Sequence, residues 1–173
     1  AALLLRSAFC WSVTMDYAYE RELWILLDVG IAALLAGAVG LERELDKKPA
    51  GLRTNMVIGA VAALFILLGK IVITIYDTSL SENVEITTDP VRVFEAIVVG
   101  VSFIGAGTIM RSSNGNGVQN LTTAASLLLS AGIGISVALH LYVLAVGVAL
   151  LAWVINHFMG IFERRMIHDE IDK

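Results

Sequence analysis

Apolar and polar positions along this chain fall into long blocks rather than a short amphipathic period. Residues 23–41 form one apolar block, broken by Asp28; residues 56–76 form a second, broken by Lys70. Residues 91–110 form a third, with Arg92 and Glu95 near its start. Each block matches the roughly 20 residues that an α-helix needs to cross the hydrocarbon core of a bilayer. Residues 121–162 then contain no Asp, Glu, Lys or Arg. As one helix that stretch would reach about 63 Å, about twice the hydrocarbon thickness. The pattern therefore predicts a fold-back near Leu139-His140 and two more spans, the fourth short or broken around Gly132-x-Gly134.

The polar segments between blocks repeat. AGAVGLERELDKKPAGLRTN at 36–55 is echoed by IGAGTIMRSSNGNGVQNLTTA at 104–124. Gly37-Ala38 and Arg43 return as Gly105-Ala106 and Arg111. Gly51-Leu52-Arg53-Thr54 returns as Asn120-Leu121-Thr122-Thr123, with one extra residue in the second loop. Such repeats place special polar residues at matching depths in a membrane domain. The predicted architecture is an all-α integral membrane protein of five transmembrane helices: two parallel-repeat hairpins plus a closing helix.

Lys and Arg in short loops set the orientation. Loop 42–54 carries Arg43, Lys47, Lys48 and Arg53, loop 111–120 carries Arg111, and the tail carries Arg164, Arg165 and Lys173. Loop 77–90 carries only acids: Asp77, Glu82, Glu85 and Asp89. Both repeated loops and the C-terminus are expected in the cytoplasm and the N-terminus outside. The chain then divides into an extracytoplasmic segment 1–22, a membrane domain 23–162 and a cytoplasmic tail 163–173. Met15-Asp16-Tyr17 reads as a natural start, which makes residues 1–14 an extension with no functional role.

Composition agrees with the blocks: 57% of residues are hydrophobic and only 16% charged, against about 25% charged in ordinary soluble domains. Mean hydropathy is +0.79. The single cysteine, Cys10, excludes an internal disulfide.

Small residues recur at four-residue spacing. Ala32, Ala36 and Gly40 line one face of the first span; Thr122, Ser126, Ser130, Gly134 and Ala138 line the fourth. In lipid such faces let backbones approach and hydrogen-bond. They serve either internal packing of the bundle or a homodimer. Gly105 and Gly107 extend the packing set on the third span.

GLERE at 40–44, AGLRTN at 50–55, FIGAGTIMR at 103–111 and LTTAA at 121–125 together resemble the MgtC/SapB family of bacterial inner-membrane proteins. The resemblance covers residues 23–160 and points to a short branch consisting of the transmembrane domain. The chain departs from the family pattern at Ser102 and Asn120, where glycine is usual, and at Leu128, where tryptophan is usual. The resemblance implies a role in magnesium limitation, virulence or acid resistance. It implies membrane-protein partners, the ATP synthase or an ion transporter among them, and at most an association with Mg²⁺ as cofactor. It implies no nucleic-acid partner.

Two groups of residues carry the candidate chemistry. Glu42, Arg43, Glu44, Arg53, Thr54 and Asn55, with Arg111, Thr122 and Thr123 of the second copy, mark the cytoplasmic motif. AGLRTN sets an arginine, a hydroxyl and an amide where backbone N–H groups are free at a helix start. These residues are either a structural clamp, with Arg53 reaching Glu42 or Glu44 across the loop, or a ligand or partner site. The second group is Asp28 with Arg92 and Glu95. A carboxylate inside a span costs about 2.5–3.5 kcal/mol unless paired, hydrated or protonated. Glu95 pairs with Arg92 at i, i+3 and Asp28 sits near the outer interface, or the two acids line a cavity for a proton or cation. Lys70 is expected to snorkel, His140 to lie in the outer loop, and His157 with Asn156 to form a polar pair near the inner interface. No metal-ligand spacing, phosphate loop or nucleophile–base set is present, so the residues do not describe an enzyme. The best reading is a membrane regulator or accessory protein. A Mg²⁺ or proton transporter using Asp28 and Glu95, and a structural membrane subunit, are the alternatives.

Overall fold

The computed structural model describes residues 2–79, 89, 91–111 and 117–171, and side chains at 19–75, 89, 91–110, 117–156 and 158. It contains α1 (Ala2–Leu45), α2 (Leu52–Ser79), α3 (Val91–Thr108), α4 (Leu121–Ala138) and α5 (Tyr142–Ile171). Tyr19–Leu45, Leu52–Ile75, Val91–Thr108 and Leu121–Ala138 are each long and apolar enough to cross a membrane, and α5 adds the shorter apolar stretch Tyr142–Asn156. The fold is therefore the expected helical membrane bundle, with α5 contributing the shorter apolar segment among the described residues.

The fold-back falls where the uncharged stretch is too long for one crossing. Leu139–Leu141 separate α4 from α5, and His140 takes a left-handed φ of 60°. Its N–H bonds to Val137 O, and the Leu141 N–H reaches Ser136 O, which ties off the last turn of α4. Lys47, at φ 54°, ends α1 in the same way: its N–H bonds to Glu44 O and that of Lys48 to Arg43 O. The fourth span is not broken at its glycines. It is one continuous 18-residue helix.

The third helix ends two residues early. Met110–Arg111 (β1) pair antiparallel with Val118–Gln119 (β2), a short ribbon that the apolar pattern did not foretell. Asn120 follows in the left-handed region, φ 68°, and donates from Nδ2 to Thr108 O, fastening the start of α4 to the end of α3. Its position explains the family's glycine there, since Asn is the next residue best able to adopt that backbone.

Packing departs from the soluble-protein pattern on the outer surface. The interior is rich in small and polar residues, among them Ala32, Ala36, Ala62, Ala63, Ala131, Asn55, Thr123 and Ser130, packed with branched aliphatics such as Val39, Leu127 and Ile133, while Phe103, Val143 and Trp24 face outward. Large apolar side chains outside and close backbones inside are what lipid requires. α2 and α4 form the centre; α1 lies against both, α3 against α4 and α2, and α5 against α4 and α1. Gly59 marks the junction. A Cβ there would stand 2.5 Å from Ala36 Cβ and 3.0 Å from Ala32 O. A Cβ on Gly134 would run into the Gly59 carbonyl. The small-residue stripes of α1 and α4 thus both meet α2 at Gly59 inside the bundle, with Thr122 alone of them exposed.

Candidate functional site

The two repeated loops lie at one end of the bundle, and buried polar bonds join them. Arg43, at the end of α1, is 5% exposed and donates from Nη2 to Thr123 Oγ1 at 2.6 Å, eighty residues away at the start of α4. Its Nε is also buried and has no hydrogen-bond partner among the described residues. Asn55 is fully buried in the first turn of α2. Its Nδ2 donates to Ala50 O (3.0 Å) and Gly51 O (2.8 Å), and its Oδ1 accepts from Ser130 Oγ of α4 at 2.7 Å. One carboxamide therefore shapes its own loop and bonds to the other hairpin.

Close contact makes these bonds reachable. A Cβ on Gly40 would sit 2.7 Å from Gly51 O and 2.9 Å from Asn55 Nδ2, so only glycine lets α1 approach the loop. Gly105 similarly faces Ala124 at 3.3 Å, whereas a Cβ on Gly107 would meet nothing within 4 Å among the described residues.

The loop is closed differently from expectation. Arg53 and Thr54 are exposed, and Arg53 forms no ion pair with Glu42 or Glu44. The closing contact is Glu44 Oε2 accepting the Leu52 N–H at 2.7 Å, a carboxylate satisfying one of the free donors at the start of α2. Direction explains the difference: Arg53 is in the first turn of a helix and points to solvent, while Glu44 faces the helix start. Glu42 is half-buried, and the Arg111 side chain lies outside the described residues.

At the opposite end, Asp28 and Glu95 do not meet. Asp28 is 6% exposed on α1 and accepts from Tyr142 Oη at 2.8 Å; His140 Nδ1 lies 3.7 Å from its other oxygen. Glu95 and Arg92 are exposed on α3 without an ion pair between them. Lys70 does not snorkel freely but donates to Ala138 O at 2.7 Å, meeting the carbonyl end of α4. Sequence reasoning missed Tyr142 and Ser130 as partners; the stripe containing Ser130 was the one signal that pointed to it. The His157 side chain of the proposed pair with Asn156 lies outside the described residues. Among the described residues no cluster of three or more His, Cys, Asp or Glu offers a metal site.

Comparison with known proteins agrees with the motifs. The chain is 37% identical to Protein SapB of Bacillus subtilis over 140 residues, 76% of this chain and 58% of that one. It is 38% identical to "Putative magnesium transporter YhiD" of Escherichia coli K12 over 117 residues, 67% of this chain and 51% of that one. Protein MgtC of Salmonella typhimurium is 42% identical over 106 residues, 61% of this chain and 39% of that one. The chain thus spans between about two fifths and three fifths of the length of these relatives. No solved structure matches it. The MgtC family profile matches residues 29–165, most of the chain, and this multi-pass membrane protein belongs to the MgtC family.

Proposed function

We propose that the chain is a non-catalytic membrane regulator in Mg²⁺ or acid-stress homeostasis, which acts by presenting its repeat-loop face to another membrane protein. The observation that carries the reading is the division of labour within the motif. Arg43, Asn55, Thr123 and Ser130 are turned inward and hold the two hairpins together, while Arg53, Thr54, Lys47 and Lys48 of the same loop are exposed. A rigid platform with outward cations is suited to recognising an acidic surface, since interface charge sets orientation and partner choice. Its lysines and arginines favour the cytoplasmic side of the inner membrane.

The magnesium-transporter name of the Escherichia coli relative suggests conduction instead. That reading lacks its acidic pair here, because Asp28 is engaged by Tyr142 and Glu95 is exposed on α3. The test uses a bacterium deleted for its own MgtC-family gene, grown at limiting Mg²⁺ and at acid pH. Arg53→Ala with Lys48→Ala should lose complementation at unchanged membrane abundance, and Asp28→Asn should retain more of it. Purified protein in liposomes should pass no Mg²⁺ or H⁺ above protein-free controls. A flux abolished by Asp28→Asn would replace the regulator with a conduit.

A further inference from the structure

The end of the bundle opposite the repeat loops holds a cavity of about 290 Å³ between α1, α2 and the α4–α5 turn. Asp28 forms its floor, Arg21, Lys70 and His140 supply the other ionisable groups, and Trp24 and Ile71 supply apolar wall. Among the described residues two cations face one carboxylate, so this lining is net positive before His140 is counted. The carboxylate is also the group least available to a ligand, because Tyr142 donates to one oxygen and His140 stands beside the other. The cations are available. Arg21 is exposed and has no hydrogen bond or ion pair among the described residues, and its planar fork suits a phosphate. Lys70 uses one donor on Ala138 O, leaving two of its three.

From this arrangement we infer that the cavity is an anion site for a phosphate group at the membrane interface, gripped by Arg21 and Lys70 with His140 at its edge. A cation is disfavoured there, since it would meet two positive side chains and find the one acid among the described lining residues already hydrogen-bonded. The apolar wall beside the cations suits a ligand with a charged head and an apolar body, so the phosphate is that of an anionic phospholipid or, failing that, a free anion. This goes beyond the regulator reading and does not depend on it.

The test uses the full chain in detergent micelles, with bound lipid counted by native mass spectrometry. Phosphatidylglycerol should be retained over phosphatidylcholine. Arg21→Gln should weaken that retention about fivefold, the effect of one basic side chain on an anionic lipid. Its thermal melt should stay unchanged, because Arg21 is exposed and makes no hydrogen bond or ion pair among the described residues. Asp28→Asn, which removes the opposing charge, should tighten retention. Inorganic phosphate is the second probe: competition lost in Arg21→Gln assigns the site to a free anion as well, and no competition assigns it to lipid alone. Equal retention of the two lipids with no effect of phosphate would overturn the inference. So would retention unaltered by Arg21→Gln, or weakened by Asp28→Asn in a protein that melts normally, which would indicate a cation site.

Discussion

Asn55→Ala is the most informative single change. The substitution removes a carboxamide that donates to Ala50 O and Gly51 O and accepts from Ser130 Oγ. Gly51 O keeps the Asn55 backbone N–H at 3.3 Å, so its loss is partial. Ala50 O loses the bond that closes the loop, and the Ser130 hydroxyl loses its partner across the helix interface. An interhelical hydrogen bond in a membrane protein contributes about 0.6 kcal/mol and up to about 1.7. A buried polar group left unpartnered costs about 1–3 kcal/mol. Ser130 softens that cost, because a serine hydroxyl can turn to a carbonyl of its own helix. The expected destabilisation is about 2–3 kcal/mol. Asn55→Asp should be worse than alanine, since it sets carboxylate oxygens against the Ala50 and Gly51 carbonyls and buries a charge. The assay is unfolding by sodium dodecyl sulfate in mixed micelles, followed by tryptophan fluorescence. Ser130→Ala and the double variant complete a cycle, and the pair should couple by about 0.6–1.7 kcal/mol. The reasoning fails if Asn55→Ala lies within about 0.5 kcal/mol of the parent, or if the two changes simply add.

Gly134→Leu should prevent α2 and α4 from meeting at Gly59 and lower the yield of folded protein in size-exclusion profiles; Gly107→Leu, with no neighbour within 4 Å among the described residues, should not. Lys47→Gly should raise stability by about 0.5–1 kcal/mol, because glycine takes the left-handed C′ position of α1 without the Cβ penalty, less its greater freedom when unfolded. A higher melting temperature checks this, and a lower one would mean that Lys47 makes a contact worth more than its strain. In a Cys10→Ser background, Lys48→Cys should react with an impermeant maleimide only after permeabilisation and Leu141→Cys without it, as the lysine-rich loop is expected in the cytoplasm. Labelling of both from one side would contradict a bundle in which they cap opposite ends.

Element positions were legible because lipid imposes a length on every apolar run. The turn at Leu139–Leu141 followed from a stretch too long for one crossing, not from any turn residue, since His140 gives no such signal. The end of α3 was less legible: Met110 is apolar and continues the block, but backbone pairing with Gln119 takes it out of the helix. Within the motif, residue types marked the right neighbourhood without saying which way each side chain faces. Arg43 and Arg53 look equivalent in sequence. One is buried because the end of α1 faces α4 at Thr123, and the other is exposed because it begins α2 on its outer side. Asp28 and Glu95 match in depth along their repeats, yet depth says nothing of rotation about a helix axis. Asp28 faces the α4–α5 turn and Glu95 faces outward.

The bond between Arg43 and Thr123 spans 80 residues of chain, which gives it a consequence during synthesis. At about 5–20 residues per second, Arg43 is synthesised about 4–16 s before the Thr123 that accepts its hydrogen bond. For that interval Arg43 stands at the rim of an unfinished bundle, held by water, headgroups or the insertion machinery. Asp28 waits longer still, because Tyr142 follows it by 114 residues. The nascent first span thus lacks its partner at Arg43 until α4 has entered, and at Asp28 until α5 follows. A ribosome that stalls before α4 would release a fragment marked by an unsatisfied charge, which membrane proteases and chaperones can distinguish from the finished protein.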